Sequence, residues 1–236
     1  MNKLMIVMPA YNEEANIESV IKQWHPVVEK IGNNSKLVIF DDGSKDDTFA
    51  IMQRIQSKYP YFVPITKKNS GHGATCLYAY RYAVENGAEY VFQTDSDGQT
   101  LPEEFWNFWE LRNECDFIIG SRKGRMDGFS RIVVTKVLKM VIFLIFRVKV
   151  TDANTPFRLM NINKLKTYLN NIPADFFLSN VLISTLIVKN KEKYKWIPIT
   201  FKPRQGGVNS INIKRIFKIG AKAVKDFLNI KNKLIK

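Results

Sequence analysis

The chain has 236 residues, enough to bury a sizeable core and within the range of a single α/β domain. Its 45% hydrophobic and 25% charged residues, without low-complexity tracts or internal repeats, exclude a disordered or fibrous chain. The excess of 36 Lys plus Arg over 22 Asp plus Glu, a net charge of +14, points to anionic partners: nucleic acid, phosphorylated substrates or an acidic membrane face.

The first element in chain order, KLMIVMPAY, is too short for the apolar core of a secretion signal and reads as a strand, followed by a helix over Glu13 to Ile31. KLVIFDD then predicts a strand and a helix over Asp46 to Ser57, YFVPITKK a strand and a helix from about Gly73 to Asn86, and EYVFQTD a fourth strand. Continuous apolar strands alternating with helices predict an α/β fold, with a mostly parallel sheet covered on both faces. The two cysteines, Cys76 and Cys115, fit no metal-ligand spacing and read as reduced, structural thiols of a cytoplasmic protein.

The most apolar stretch, Ile132 to Val150, is interrupted by Lys136, Lys139, Arg147 and Lys149, so no spanning helix is expected. If Arg131 to Val150 is helical, Lys136, Lys139 and Arg147 fall within an arc of about 80°. Such a helix suits either a core position with one wet edge or the lipid interface beside a site. Near the C-terminus, Ile213, Ile216, Phe217, Ala223, Val224, Phe227 and Leu228 follow helical spacing, with Lys214, Arg215, Lys218, Lys222 and Lys225 on the other side. This basic amphipathic pattern suits an anionic membrane surface, or packing against the rest of the protein.

Polar, glycine-rich chemistry gathers after each of the first four strands: PAYNEE, DDGSKDDT, NSGHGAT and DSDGQ. In open α/β sheets the ligand crevice lies outside the carboxyl ends of the strands. Each motif alone also suits a turn and helix cap, as Ser44, Asp46 and Thr48 show. DSDGQ offers hard oxygen ligands at positions 95, 97 and 99, which suit Mg²⁺ or Mn²⁺ held together with substrate phosphates. In DDGS the carboxylates suit hydrogen bonds to a base or ribose, while Ser44 reads as a turn or cap. Asn69, Gly71 and Gly73 permit close backbone approach at a helix start, and His72 reads as a loop or cap residue.

MPAYNEEANI, DDGSKDDT, NSGHGA, TDSDGQ, the GSR at 120–122, TDANTPFRLM and FKPR together resemble family 2 glycosyltransferases of the GT-A fold, in the polyprenyl-phosphate, dolichyl-phosphate mannose synthase-like branch. The resemblance runs in order to about residue 210. It implies a Rossmann-like catalytic domain over 1–210, with a basic amphipathic membrane-surface helix over 211–236. It also implies a nucleotide pocket lined by Pro9, Tyr11, Glu13, Phe40 and Asp42, with Asp95 on the nucleotide sugar and Asp97 and Gln99 on the divalent metal. Arg122, Arg131 and Arg204 match arginines that meet phosphates, a role suited to the forked guanidinium. Two positions depart from the family pattern: Ser210 stands where a lysine is usual, with Lys214 nearby, and Pro156 replaces the glycine of GFR.

Transfer to a sugar hydroxyl calls for a general base in the later half of the chain. The adjacent acidic pair after residue 99, Glu103-Glu104, follows Pro102 and reads as a helix first turn, while Asp152 and Asp175 stand alone. An ionised phosphate acceptor needs no base. The lack of a further such pair favours a lipid phosphate acceptor, and the resemblance implies an inverting, metal-dependent hexosyltransferase acting on polyprenyl phosphate, expected to bind peripherally at the inner face of the cell membrane. Transfer to a hydroxyl of a surface polysaccharide or glycolipid is the alternative. Nucleic-acid binding is disfavoured, because the charge is concentrated in the C-terminal third and no nucleic-acid motif accompanies it.

Overall fold

A computed structural model describes residues 2–122, 129–202 and 223–231, with 129–134 described as backbone only. Seven strands, β1 (Leu4–Ala10), β2 (Lys36–Asp41), β3 (Phe62–Thr66), β4 (Tyr90–Gln93), β5 (Phe117–Arg122), β6 (Arg158–Asn161) and β7 (Tyr194–Ile199), form one sheet in the order β3-β2-β1-β4-β6-β5-β7. β1 to β4 are mutually parallel, as their apolar runs predict. β6 is antiparallel to both β4 and β5, and β5 is parallel to β7, so every strand except β6 ends at the same edge. β6 instead starts there, which sets Arg158 opposite Gln93.

All seven residues of β1 are buried, and their alternation divides the core. Leu4, Ile6 and Met8 face a layer built by α1 (Ile17–Ile31), α2 (Thr48–Ile55) and α4 (Phe105–Glu110), with Trp24, Phe92 and Phe105 at its centre. Met5 and Val7 face α3 (His72–Glu85), α6 (Ile162–Leu169) and α7 (Ser179–Lys189). Helices therefore cover both faces, as expected of an α/β sheet. α2 starts two residues after the expected Asp46: Asp47 is its N-cap, and the Asp46 carboxylate makes an Asx-type turn just ahead of it by accepting from the Thr48 N–H at 3.1 Å.

α5 (Phe129–Phe146) buries Ile142, Ile145 and Phe146, while Val137, Met140, Phe143 and Leu144 stay exposed beside Lys136, Lys139 and Arg147. Its wet edge is thus apolar as well as basic. The described part of the C-terminal segment is a helix, α8 (223–231), whose Ala223, Phe227 and Ile230 are buried. Phe227 lies 5.7 Å from the Phe146 ring and 5.9 Å from Phe176. Over these residues the expected membrane-facing stripe is turned to the protein and shares the core beside α3, α6 and α7, which leaves Lys225 and Leu228 outward. The remainder of 211–236 lies outside the described residues. Among the described residues, no helix is long and apolar enough to cross a membrane.

Candidate active site

The carboxyl ends of β1, β2 and β4 are fastened to one another by side chains. The Asn12 N–H donates to Ser44 Oγ (2.9 Å), the Lys45 N–H to Asn12 Oδ1 (2.8 Å) and the Glu13 N–H to Thr48 Oγ1 (2.8 Å). This lacing sets PAYNEE against DDGSKDDT and leaves Tyr11 exposed at the rim, with Pro9 and Glu13 buried beneath. Ser44 therefore serves the neighbouring loop rather than capping α2.

The DSDGQ loop is anchored by its alternate residues. Thr94, Ser96 and Thr100 are buried: Ser96 Oγ donates to the Pro9 carbonyl (2.8 Å), and the Thr94 and Thr100 hydroxyls bond each other (2.8 Å). Asp95, Asp97 and Gln99 then take the partly open positions. Gly98 makes the turn at φ +72°, which a side chain rarely adopts. Gln99 is clamped to Lys202, whose N–H donates to the Gln99 carbonyl (2.8 Å) and whose carbonyl accepts from Gln99 Nε2 (2.6 Å). Its Oε1, the atom a hard cation would take, is left without a hydrogen bond among the described residues. Asp97 Oδ1 accepts from the Gln99 N–H at 3.1 Å.

Among the described residues, no three His, Cys, Asp or Glu side chains converge as a self-sufficient metal site. Asp97 and Gln99 fit a cation whose shell is completed by phosphate oxygens and water, as Mg²⁺ commonly is. Asp95 Oδ1 accepts from Gln93 Nε2 and pairs with His72 Nε2, both at 3.1 Å, while its Oδ2 has no hydrogen bond among the described residues. The nearby Cys76 sulfur and then the Asp95 carboxylate raise the pKa of His72, whose side chain is half-exposed, above its usual value.

Other expected site residues are engaged elsewhere. Asp42 is buried; it bonds Lys67 and accepts from the N–H groups of Ser70 (2.9 Å) and Gly71 (2.8 Å). Burial pushes its pKa up, but the bonds from Lys67 and Ser70 outweigh this and hold it below the usual carboxylate value. It thus closes the β3–α3 loop over the end of β2. Phe40 is fully buried against Tyr78 and Tyr82 and offers no surface to a ligand. Gly73 does permit a close approach, but to protein: a Cβ there would stand 1.9 Å from the Phe177 carbonyl oxygen.

Arg122 is gripped at both ends of its fork by Asp152, with Nε–Oδ2 at 2.8 Å and Nη2–Oδ1 at 2.7 Å, which leaves Nη1 without a hydrogen bond among the described residues. Asp152, read from sequence as standing alone, is thus its positioning partner; its place in TDANTPFRLM was the available signal. Lys67 carried no such signal. Glu104 has both carboxylate oxygens on the Thr200 N–H, 2.9 and 3.0 Å, and with Glu103 it stands in a helical first turn after Pro102, as its sequence reading expects. Arg204, Ser210 and Lys214 lie outside the described residues, as does the side chain of Arg131.

The family model described as glycosyl transferase family 2 matches residues 5–174, and the chain belongs to that family. It is 25% identical over 218 residues to a UDP-N-acetylglucosamine–dolichyl-phosphate N-acetylglucosaminyltransferase of Methanococcus voltae, covering 83% of this chain and 84% of that one. It is 23% identical over 219 residues to a polyprenol monophosphomannose synthase of Mycolicibacterium smegmatis, covering 89% and 81%. It is 28% identical over 225 residues to a dolichol-phosphate mannosyltransferase of Pyrococcus furiosus, spanning 91% of this chain but 61% of that longer one. Among solved structures, glucosyl-3-phosphoglycerate synthase of Mycobacterium tuberculosis, in complex with Mn²⁺, UDP-glucose and glycerol 3-phosphate, matches with a TM-score of 0.68 at 17% identity over 97% of this chain and 80% of that one. The fold is thus the GT-A type.

Proposed function

We propose that this family 2 glycosyltransferase moves one hexose from a nucleoside diphosphate sugar to polyprenyl phosphate, with inversion at the anomeric carbon, on the cytoplasmic membrane surface. The observation that carries the reading is the anchored DSDGQ loop, which offers Asp95 Oδ2 to the donor and Asp97 and Gln99 Oε1 to a cation at its diphosphate. The relatives that use dolichyl or polyprenol phosphate support the acceptor class.

An ionised phosphate oxygen of the acceptor attacks the anomeric carbon. The new C–O bond forms as the bond to the diphosphate oxygen breaks, and the nucleoside diphosphate leaves with that electron pair. No proton is moved, in keeping with the structural engagement of Glu104. A bound Mg²⁺ or Mn²⁺ would offset the negative charge growing on the diphosphate. Arg122, oriented by Asp152, keeps Nη1 for a phosphate oxygen, and Arg131 and Arg204 are assigned to the same task.

The membrane placement draws support from α5. Among the described residues, five of the seven exposed large apolar side chains, Val137, Met140, Phe143, Leu144 and Leu228, lie on α5 and its neighbour α8. Lys136, Lys139, Arg147 and Lys149 are exposed beside them, a mixture suited to an anionic interface.

Purified protein is tested with radiolabelled UDP-, GDP-, CDP- and dTDP-sugars, each with Mg²⁺ or Mn²⁺. Label should enter organic solvent only when undecaprenyl phosphate is supplied. Label appearing only in water-soluble oligosaccharide would replace this reading with transfer to a sugar hydroxyl.

A further inference from the structure

Beneath Asp95 lies a buried polar chain that the chemistry above does not use. Tyr80 of α3, Gln93 of β4 and Asn180 of α7 are each at most 2% exposed. The Tyr80 hydroxyl donates to Asn180 Oδ1 (2.7 Å) and also lies 3.2 Å from Gln93 Oε1, Asn180 Nδ2 donates to Gln93 Oε1 (3.0 Å), and Gln93 Nε2 donates to Asp95 Oδ1 (3.1 Å). Arg158, fully buried and opposite Gln93 in the sheet, donates to the Asn180 carbonyl at 3.2 Å and holds the start of α7 in place.

The chain has a direction, and the direction matters. An amide presents NH₂ on one side and C=O on the other, so reversing Asn180 would set its oxygen against Gln93 Oε1. Gln93 would then have to reverse too and aim its own oxygen at the Asp95 carboxylate. Only the observed polarity puts a donor on Asp95. A buried, fully satisfied network of this kind holds its members in one arrangement, whereas a surface contact would let the carboxylate rotate. With Oδ1 held by Gln93 from below and His72 from the side, Oδ2 is the oxygen left for a ligand.

We infer, on the donor-site reading above, that Gln93, oriented by Asn180 and Tyr80, is a positioning residue that fixes the Asp95 carboxylate for the nucleoside diphosphate sugar. Gln93→Met keeps the side-chain length and removes the amide.

Binding of UDP, GDP, CDP and dTDP with Mn²⁺ is measured by calorimetry on the wild type, Gln93→Met, Asp95→Ala and the double variant, each checked for cooperative unfolding. The nucleotide that the wild type binds should bind Gln93→Met about tenfold more weakly, in the range seen when a ligand's supporting hydrogen bond is removed. In the Asp95→Ala background, Gln93→Met should cause no further loss, since residues acting through one group are non-additive. A merely structural role would lower the unfolding temperature and leave the affinity of the folded fraction unchanged. If Gln93→Met does not fold, Tyr80→Phe, which removes one oxygen, is read by the same two criteria. Wild-type affinity in the folded variant, or a loss that persists without Asp95, overturns the positioning role while leaving the donor site intact. A wild type that binds none of the four nucleotides overturns the donor-site reading, and this role with it.

Discussion

Replacing Gly73 with alanine tests the closest backbone approach in the site's framework. The added Cβ would stand 1.9 Å from the Phe177 carbonyl oxygen, 2.3 Å from its carbon and 2.7 Å from its Cα, against an ordinary contact of 3.4 Å or more. All three atoms are backbone, so no rotamer change relieves the overlap; α3 and the segment entering α7 must separate by about 1.5 Å. That interface also carries the Tyr80–Asn180 bond, which such a shift would break. Overpacking costs about 1–3 kcal/mol and a lost buried hydrogen bond about 1–3 more, so Gly73→Ala should destabilise by roughly 2–6 kcal/mol. Gly71→Ala is the control: its φ of +88° disfavours a side chain, but nothing lies within 4 Å, so strain alone should cost about 1–2 kcal/mol. Urea unfolding of both variants gives the comparison directly. A Gly73→Ala loss no larger than that of Gly71→Ala would refute the close approach.

Three further outcomes follow from the site and its supports. Asp97→Ala should abolish the metal-dependent thermal stabilisation by the bound nucleoside diphosphate; full retention in a thermal-shift assay would remove Asp97 from the metal site. Asp152→Ala leaves the Arg122 fork, 6% exposed, without its carboxylate, and should cost about 3 kcal/mol or more in urea unfolding; a loss under about 1 kcal/mol would show the pair to be dispensable. His25 is buried, with its pKa lowered by burial against a weaker raising effect of Glu29, and its Nε2 accepts from the Tyr61 N–H at 3.4 Å. A base whose folded pKa is depressed binds fewer protons folded than unfolded, so this contribution is present above the unfolded value of 6.5 and is lost as pH falls below it. The unfolding temperature should therefore drop between about pH 7 and 5, and His25→Gln should flatten that drop; an unchanged slope would discount His25.

Much of the sheet was legible because burial on two faces forces apolar runs. β1 reads LMIVMPA and β4 reads YVFQ for that reason, and the polar residues are displaced to the strand ends. Along DSDGQ the alternating residues Asp95, Asp97 and Gln99 are partly open while Thr94, Ser96 and Thr100 are buried. Sequence could not tell a carboxylate left partly open from one that closes a loop: Asp42 and Asp95 both end a strand, yet Lys67 and two backbone N–H groups bury the first. Nor did a local pattern mark Phe40 as core beneath α3, or Ala223, Phe227 and Ile230 as packed on the domain, since an apolar stripe looks the same whatever covers it.

The residue types and their order were thus enough for the family and the α/β architecture, because both depend on local spacing and on the strand-to-helix alternation. Contacts between distant segments were decided only by the tertiary structure. Asp152 meets Arg122 across 30 residues and Asn180 meets Gln93 across 87, separations over which helix or strand periodicity says nothing about pairing. The same holds for Gly73, whose missing side chain is explained by Phe177 more than 100 residues away. Spacing shows which groups a loop can present; which of them remain open to a ligand depends on what the rest of the chain brings against them.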